Sequence, residues 1–205
     1  MKKTKKIDIL EIGKEVLENE ARAVLVAREK LGESFVSAVE LLSGMKGKVL
    51  LSGIGKSGIV ARKIAATLSS TGTFSIFLHP VEALHGDLGT VAKNDIAIVI
   101  SDSGETRELL ALVTILKKFN NKIIAITAHE NSVIGKLSDI VISTHVKEEA
   151  CRSCTAFNLA PTTSTLVQLA VGDAIASALQ EIKGFKIEHF AAIHPGGNLG
   201  ELLKP

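Results

Sequence analysis

Tryptophan and tyrosine are absent from the 205 residues, and the only large aromatics are seven phenylalanines. There is therefore little surface on which bases could stack. Lys and Arg total 24 against 22 acidic residues, a net charge of +2 spread along the chain without stripes. Neither feature fits a nucleic-acid partner. Two cysteines are too few for a secreted disulfide framework, which points to a reducing compartment. No stretch approaches the roughly 20 apolar residues of a membrane span, so no membrane partner is expected. The basic opening MKKTKKIDILEIGKEVL is interrupted by Asp8, Glu11 and Lys14 and does not read as a secretory signal, so a cytoplasmic location is expected. Linkers, repeats and low-complexity segments are also missing. With 46% hydrophobic and 22% charged residues, the composition is that of one folded domain across residues 1–205.

Ile9, Ile12, Val16, Leu17, Ala21, Val24 and Leu25 recur near a 3.6-residue period and predict a helix over 8–30, with a second over 34–44 ending at Gly44. Short apolar, β-branched runs follow at 48–55, 74–80, 96–104, 122–129 and 140–146, with helical patterns between them, clearest at 57–70 and 106–119. Runs without alternation are strands covered on both faces, so the expectation is a doubly wound α/β fold around a parallel sheet of about five strands. A long helix over 162–182, apolar on more than one side, should be buried, partly against another subunit. A short helix near 187–193 precedes His194-Pro195-Gly196-Gly197.

Ligands of such sheets sit beyond the carboxyl ends of the strands. Residues 53–58 spell G-x-G-x-x-G, but the acid that would hold a ribose at the end of the second strand is missing, since that strand ends Phe77-Leu78-His79-Pro80. Gly55-Lys56-Ser57 also resembles the end of a Walker A loop, yet Leu50 stands where its first glycine belongs. What remains is a glycine turn opening a helix, with N–H groups free for an anion, Ser57 in its first turn and Lys56 beside it. Ser101, Ser103 and Thr106 flank Gly104 where another strand becomes a helix. A cap on that helix needs one hydroxyl, so three indicate a phosphate cradle.

His79, Glu82, His85 and Asp87 lie close together without a standard zinc spacing. Substrate or backbone binding is the expected use, with His79 the candidate ligand if a metal sits there. Cys151 and Cys154, with His145 upstream, read as reduced bystanders. Adjacent acids such as Glu148 and Glu149 are usually solvated, but Glu149 sits at the sheet's carboxyl edge, where a proton-transferring carboxylate is useful. His194 could titrate near neutral pH.

Together GIGKSG, STGT (70–73), HPVEALHGDLG, SDSGETRE, KEEAC, LAPTTSTLVQLAVGDAIA and HPGGNLG resemble the sugar isomerase (SIS) domain, and more narrowly the D-arabinose 5-phosphate isomerases of the 3-deoxy-D-manno-octulosonate pathway. The resemblance runs from about residue 8 to the end. It implies a flavodoxin-like sheet, a homo-oligomer with sites near subunit contacts (a tetramer is expected), and cofactor-free exchange of D-arabinose 5-phosphate with D-ribulose 5-phosphate. Any zinc would be adventitious or inhibitory. By position, the family's catalytic set falls on Lys56, Glu108, Glu149 and His194. Its phosphate contacts fall on Ser101, Ser103 and Thr106, with Gly72, Thr73, His79 and His85 near the sugar.

In such chemistry a proton moves between C1 and C2 through a cis-enediol, which needs a carboxylate or imidazole on the correct face. Glu149 or His194 would fill that role or open the ring, Lys56 would offset charge on the enediolate, and Glu108 would orient a hydroxyl or tune Lys56. A phosphoheptose-type isomerase or a non-catalytic sugar-phosphate sensor are the rival readings. Many relatives continue into a pair of cystathionine-β-synthase-type repeats. The sequence ends at Pro205, so the expectation is a short form whose feedback control acts at the active site or a subunit interface. The connector CRSCTAFNLAPT is longer than the compact loop usual in the family.

Overall fold

The computed structural model describes residues 8–150 and 159–196. Helix α1 (Ile9–Lys30) opens on Asp8, whose side chain accepts from the Glu11 N–H, and α2 (Glu33–Ser43) follows. The sheet is then laid down as β1 (Val49–Gly53), β2 (Ser75–Phe77), β3 (Ile96–Ile100), β4 (Lys122–Thr127) and β5 (Ile140–Ser143). Between the strands run α3 (Gly55–Ser70), α4 (Pro80–Leu84), α5 (Arg107–Lys118) and α6 (Val133–Leu137); α7 (Thr163–Ile182) and α8 (Ile187–Ile193) come after it. Among these residues no helix is long and apolar enough to cross a membrane.

All neighbouring strands are parallel, in the order β2-β1-β3-β4-β5. This is the flavodoxin-like order expected, and it reverses between β1 and β3. Period two explains how an unbroken apolar run serves both faces. Val49, Leu51, Ile96, Ile98, Ile100, Ile124 and Ile126 point to the core shared with α2, α3 and α7, while Leu50, Ala97, Val99, Ile123 and Ala125 point to the core shared with α4, α5 and α6.

Two short helices add to the expected pattern. After His79, Pro80 starts α4, and Asp87–Thr90 forms a 3-10 turn. Proline fixes φ and lacks an N–H, so it suits the first helical position and ends β2 early. Helix α6 has no counterpart in the sequence pattern. Its start is capped by Ser132, which accepts from Gly135 N at 3.2 Å, and is held by Glu105, whose Oε1 accepts from Val133 N at 2.9 Å. Finally, α7 buries Val167, Val171, Ile175 and Leu179 within its own chain, against α1, α2 and α3, leaving Leu166 and Ile182 exposed.

Candidate active site

Helices α3 and α5 both begin at the reversal between β1 and β3, two strands that pair along their whole length with Gly53 opposite Ile100. Ile54 alone separates α3 from β1, and the Ser101–Thr106 loop separates α5 from β3. Neither start carries a side-chain cap. The N-cap of α5 is Thr106, not Ser103, and its hydroxyl does not cap; it lies 3.0 Å from Ser101 Oγ. Ser101 Oγ also accepts from Gly104 N at 3.1 Å, and Ser103 Oγ accepts from Glu105 N at 3.2 Å. The hydroxyls thus shape the loop and leave the first turn of α5 open to an anion, which favours a phosphate cradle over simple capping.

Two glycine contacts explain this loop geometry. Gly104 has φ +65°, and a Cβ there would lie 2.0 Å from Ser132 Oγ. Gly58 packs so close that a Cβ would lie 2.7 Å from the Gly53 carbonyl oxygen, so the literal G-x-G-x-x-G serves strand–helix packing. Exposed Lys56 and half-buried Ser57 stand in the first turn of α3, and exposed Glu108 in the first turn of α5. Glu105, the other acid of this stretch, is engaged with Val133, which separates the two structurally.

Glu149 is not solvated. Its Oε2 accepts from Thr162 N (2.8 Å), Thr162 Oγ1 (3.1 Å) and Ser164 N (3.1 Å), and its Oε1 accepts from Ser164 Oγ (2.5 Å). The carboxylate therefore caps α7 from a distant segment, where the helix end is partly positive. Beside it lies a cavity of about 480 Å³ lined by Asp102, His129, His145, Lys147, Glu148 and Glu149. Burial, and then the neighbouring Glu149 charge, push the Asp102 carboxyl above its ordinary range, with His129 pulling the other way. Asp102 was missed in the sequence, although its place between Ser101 and Ser103 was a signal. His145 has φ +54°, a sparsely populated conformation of the kind that collects at functional sites.

His79 starts α4 at the carboxyl end of β2, its Nδ1 buried without a hydrogen-bond partner, and His85 is exposed at the other end of that helix. Among the described residues no three His, Cys, Asp or Glu side chains come together as a metal-ligating group, so His79, Glu82, His85 and Asp87 do not form one. Cys151 and Cys154 lie outside the described residues.

The remaining candidates stand at the other end of the sheet. Gly72 and Thr73 precede the amino end of β2, and Thr73 Oγ1 accepts from Lys183 Nζ at 2.9 Å, just beyond α7. Burial lowers the Lys183 ammonium pKa below its ordinary value. The Phe185 ring lies against Gly72, where a Cβ would come within 2.3 Å, and packs on His189 of α8 at 5.7 Å. His194 follows α8, stacked on Phe190 at 3.9 Å with Nδ1 2.9 Å from the Phe190 carbonyl oxygen. Helix α8 thus begins beyond the α7 end that Lys183 ties to Thr73, on the amino side of the sheet. The structure gathers Lys56, Ser57, His79, Ser101, Ser103, Thr106, Glu108 and Glu149 at the carboxyl edge. It sets Gly72 and Thr73 apart at the amino end of β2, with His194 following α8.

A doubly wound parallel sheet with uncapped helix starts at its reversal defines the class of flavodoxin-like α/β domains, whose ligands sit at that switch point. Within that class, residues 41–178 match the SIS domain family, and the chain belongs to it. It is 46% identical over 187 residues to the arabinose 5-phosphate isomerase KdsD of Pseudomonas aeruginosa, covering 91% of this chain and 56% of that protein. It is 46% identical over 195 residues to the arabinose 5-phosphate isomerase KpsF of Escherichia coli, covering 95% of this chain and 60% of that protein. The chain thus spans little more than half the length of these curated relatives. Among solved structures, an Escherichia coli CFT073 protein in complex with arabinose 5-phosphate superposes with a TM-score of 0.87 at 43% identity, covering 94% of this chain and all of that one.

Proposed function

We propose that this protein interconverts D-arabinose 5-phosphate and D-ribulose 5-phosphate through a cis-enediol, as a step toward 3-deoxy-D-manno-octulosonate. The observation that carries the reading is the pair of uncapped helix starts at the β1/β3 reversal, with Ser101, Ser103 and Thr106 on one and Lys56 on the other. The cradle places a phosphate by N–H groups and hydroxyls. Lys56 then stands close enough to the sugar to offset charge on the enediolate oxygens. Glu108, across from Lys56 on the neighbouring helix start, orients a hydroxyl or tunes that ammonium. Two curated relatives carry the name of this activity, and a solved relative of matching length holds arabinose 5-phosphate.

Proton transfer is assigned to Glu149 or His194. Glu149 is fixed at the carboxyl edge by the start of α7. His194, beyond the α7 end at the amino side of its own sheet, serves the site of a neighbouring copy, which fits a homo-tetramer. Gly72 and Thr73, covered by Phe185 and Lys183 of their own chain, do not reach the sugar on this reading. The reaction needs no cofactor on this reading, and zinc is incidental to it.

A substrate panel after treatment with a chelator tests the proposal. D-arabinose 5-phosphate should give a ketose product at least tenfold faster than six- and seven-carbon aldose phosphates. Preference for a seven-carbon phosphate would overturn the pentose assignment, and binding without turnover of any would leave a sensor.

A further inference from the structure

We propose that Asp102 takes up a proton when a sugar phosphate settles on the Ser101–Thr106 loop and meets the ligand as a neutral carboxyl, coupling binding to protonation. This rests on reading that loop as the phosphate cradle.

The carboxyl ends of β3, β4 and β5 each hand one titratable residue to the same cavity of about 480 Å³: Asp102, His129 and His145, with Lys147, Glu148 and Glu149 closing it. A second cavity, which reaches Ser103, shares His129 and His145 with it. The backbone of Asp102 is held in place. Its carbonyl oxygen accepts from Ala128 N at 3.1 Å and Thr127 Oγ1 at 3.0 Å, which pins the backbone between the two cradle serines.

An arriving sugar phosphate carries about −1.5 to −2 charges near pH 7. It enters beside carboxyl groups that are not equivalent. Glu149 already accepts from the two N–H groups and two hydroxyls of Thr162 and Ser164, so its lone pairs are engaged. Asp102 Oδ1 is buried with no hydrogen-bond partner. A proton drawn in with the anion therefore finds its open oxygen on Asp102. Burial and the Glu149 charge already displace this carboxyl toward the neutral form, against the pull of His129. Once protonated, Asp102 stops repelling the phosphate and gains an O–H donor for it or for a sugar hydroxyl.

The test is titration calorimetry of D-arabinose 5-phosphate against the wild-type protein and D102N, from pH 6 to 9, in buffers of different ionisation enthalpy. The amide keeps the shape and a donor but cannot titrate. Wild-type affinity is expected to fall by up to about tenfold per pH unit relative to D102N once free Asp102 is ionised, and the wild-type should take up close to one more proton. D102N should bind at least as tightly at pH 8. Equal slopes and equal proton uptake overturn the proposal, as does a D102N that folds but binds more than tenfold more weakly at every pH. If neither protein binds at any pH, the cradle reading fails and the proposal with it. Thermal melts check folding, and D102S gives the same comparison if D102N does not fold.

Discussion

Glu149 joins the strand edge to the α7 start through its own carboxylate, so its replacement should be felt twice. In Glu149→Gln the amide oxygen can keep the Thr162 and Ser164 N–H groups and the amide nitrogen can donate to Ser164 Oγ, so what is lost is the charge at the α7 start, about 1 kcal/mol. Thermal unfolding should show that loss. Turnover should fall by roughly 10²–10⁴ if the carboxylate also moves the proton. A stable, fully active variant would remove it from both roles. Asp102 and Asp95 give opposite pH signatures. Asp102 lies above its unfolded value, so its contribution to stability is present below about pH 3.9 and is lost as pH rises through its folded value. The stability of D102N relative to wild-type should therefore grow from pH 4 toward neutrality. For Asp95, burial acts upward but is outweighed by Lys48, whose Nζ donates at 2.6 Å, and by the N–H groups of Lys48 and Ala92. Its folded value is lowered, so its contribution is present above about pH 3.9 and lost as acid takes the carboxylate through that lower value. Melting temperatures of D95N and D102N between pH 3 and 7 check both signs.

The element that makes the cradle is the β3–α5 turn, and its weak point is Gly104. Gly104→Ala forces a Cβ to within 2.0 Å of Ser132 Oγ at a φ of +65°. Strain of that kind costs about 1–3 kcal/mol. It should also loosen the phosphate site, seen as a lower melting temperature together with a higher KM. This turn was legible in the sequence because strand, glycine and hydroxyls adjoin one another. The five strands were legible too, since burial on both faces leaves runs such as Ile96–Ile100 unbroken. Helices α4 and α6 were not, because five residues make less than two turns and show no period. Nor was the partner of Glu149. Thr162 and Ser164 lie 13 and 15 residues away, and only folding brings them to that carboxylate. Glu105 and Glu108 look equivalent in sequence until Val133 N is seen to occupy the first.

At the scale of the whole molecule, the candidate residues divide between the two ends of one sheet, with Lys56 at the carboxyl edge and His194 beyond the α7 end that Lys183 ties to Thr73. If neighbouring copies complete each site, Lys56→Ala and His194→Ala should each be inactive alone yet restore activity when mixed and allowed to exchange subunits. Random exchange in a symmetric assembly leaves about a quarter of the sites with both native residues. No recovery despite demonstrated exchange would place His194 outside the neighbour's site. The central claim is enediol isomerisation of a pentose phosphate, and proton NMR of D-arabinose 5-phosphate with the protein in heavy water tests it most directly. The account predicts ribulose 5-phosphate carrying solvent deuterium at C1, at a rate that collapses in Lys56→Ala. No ketose and no loss of the C2 proton signal, from a folded protein that binds the sugar phosphate, would contradict it.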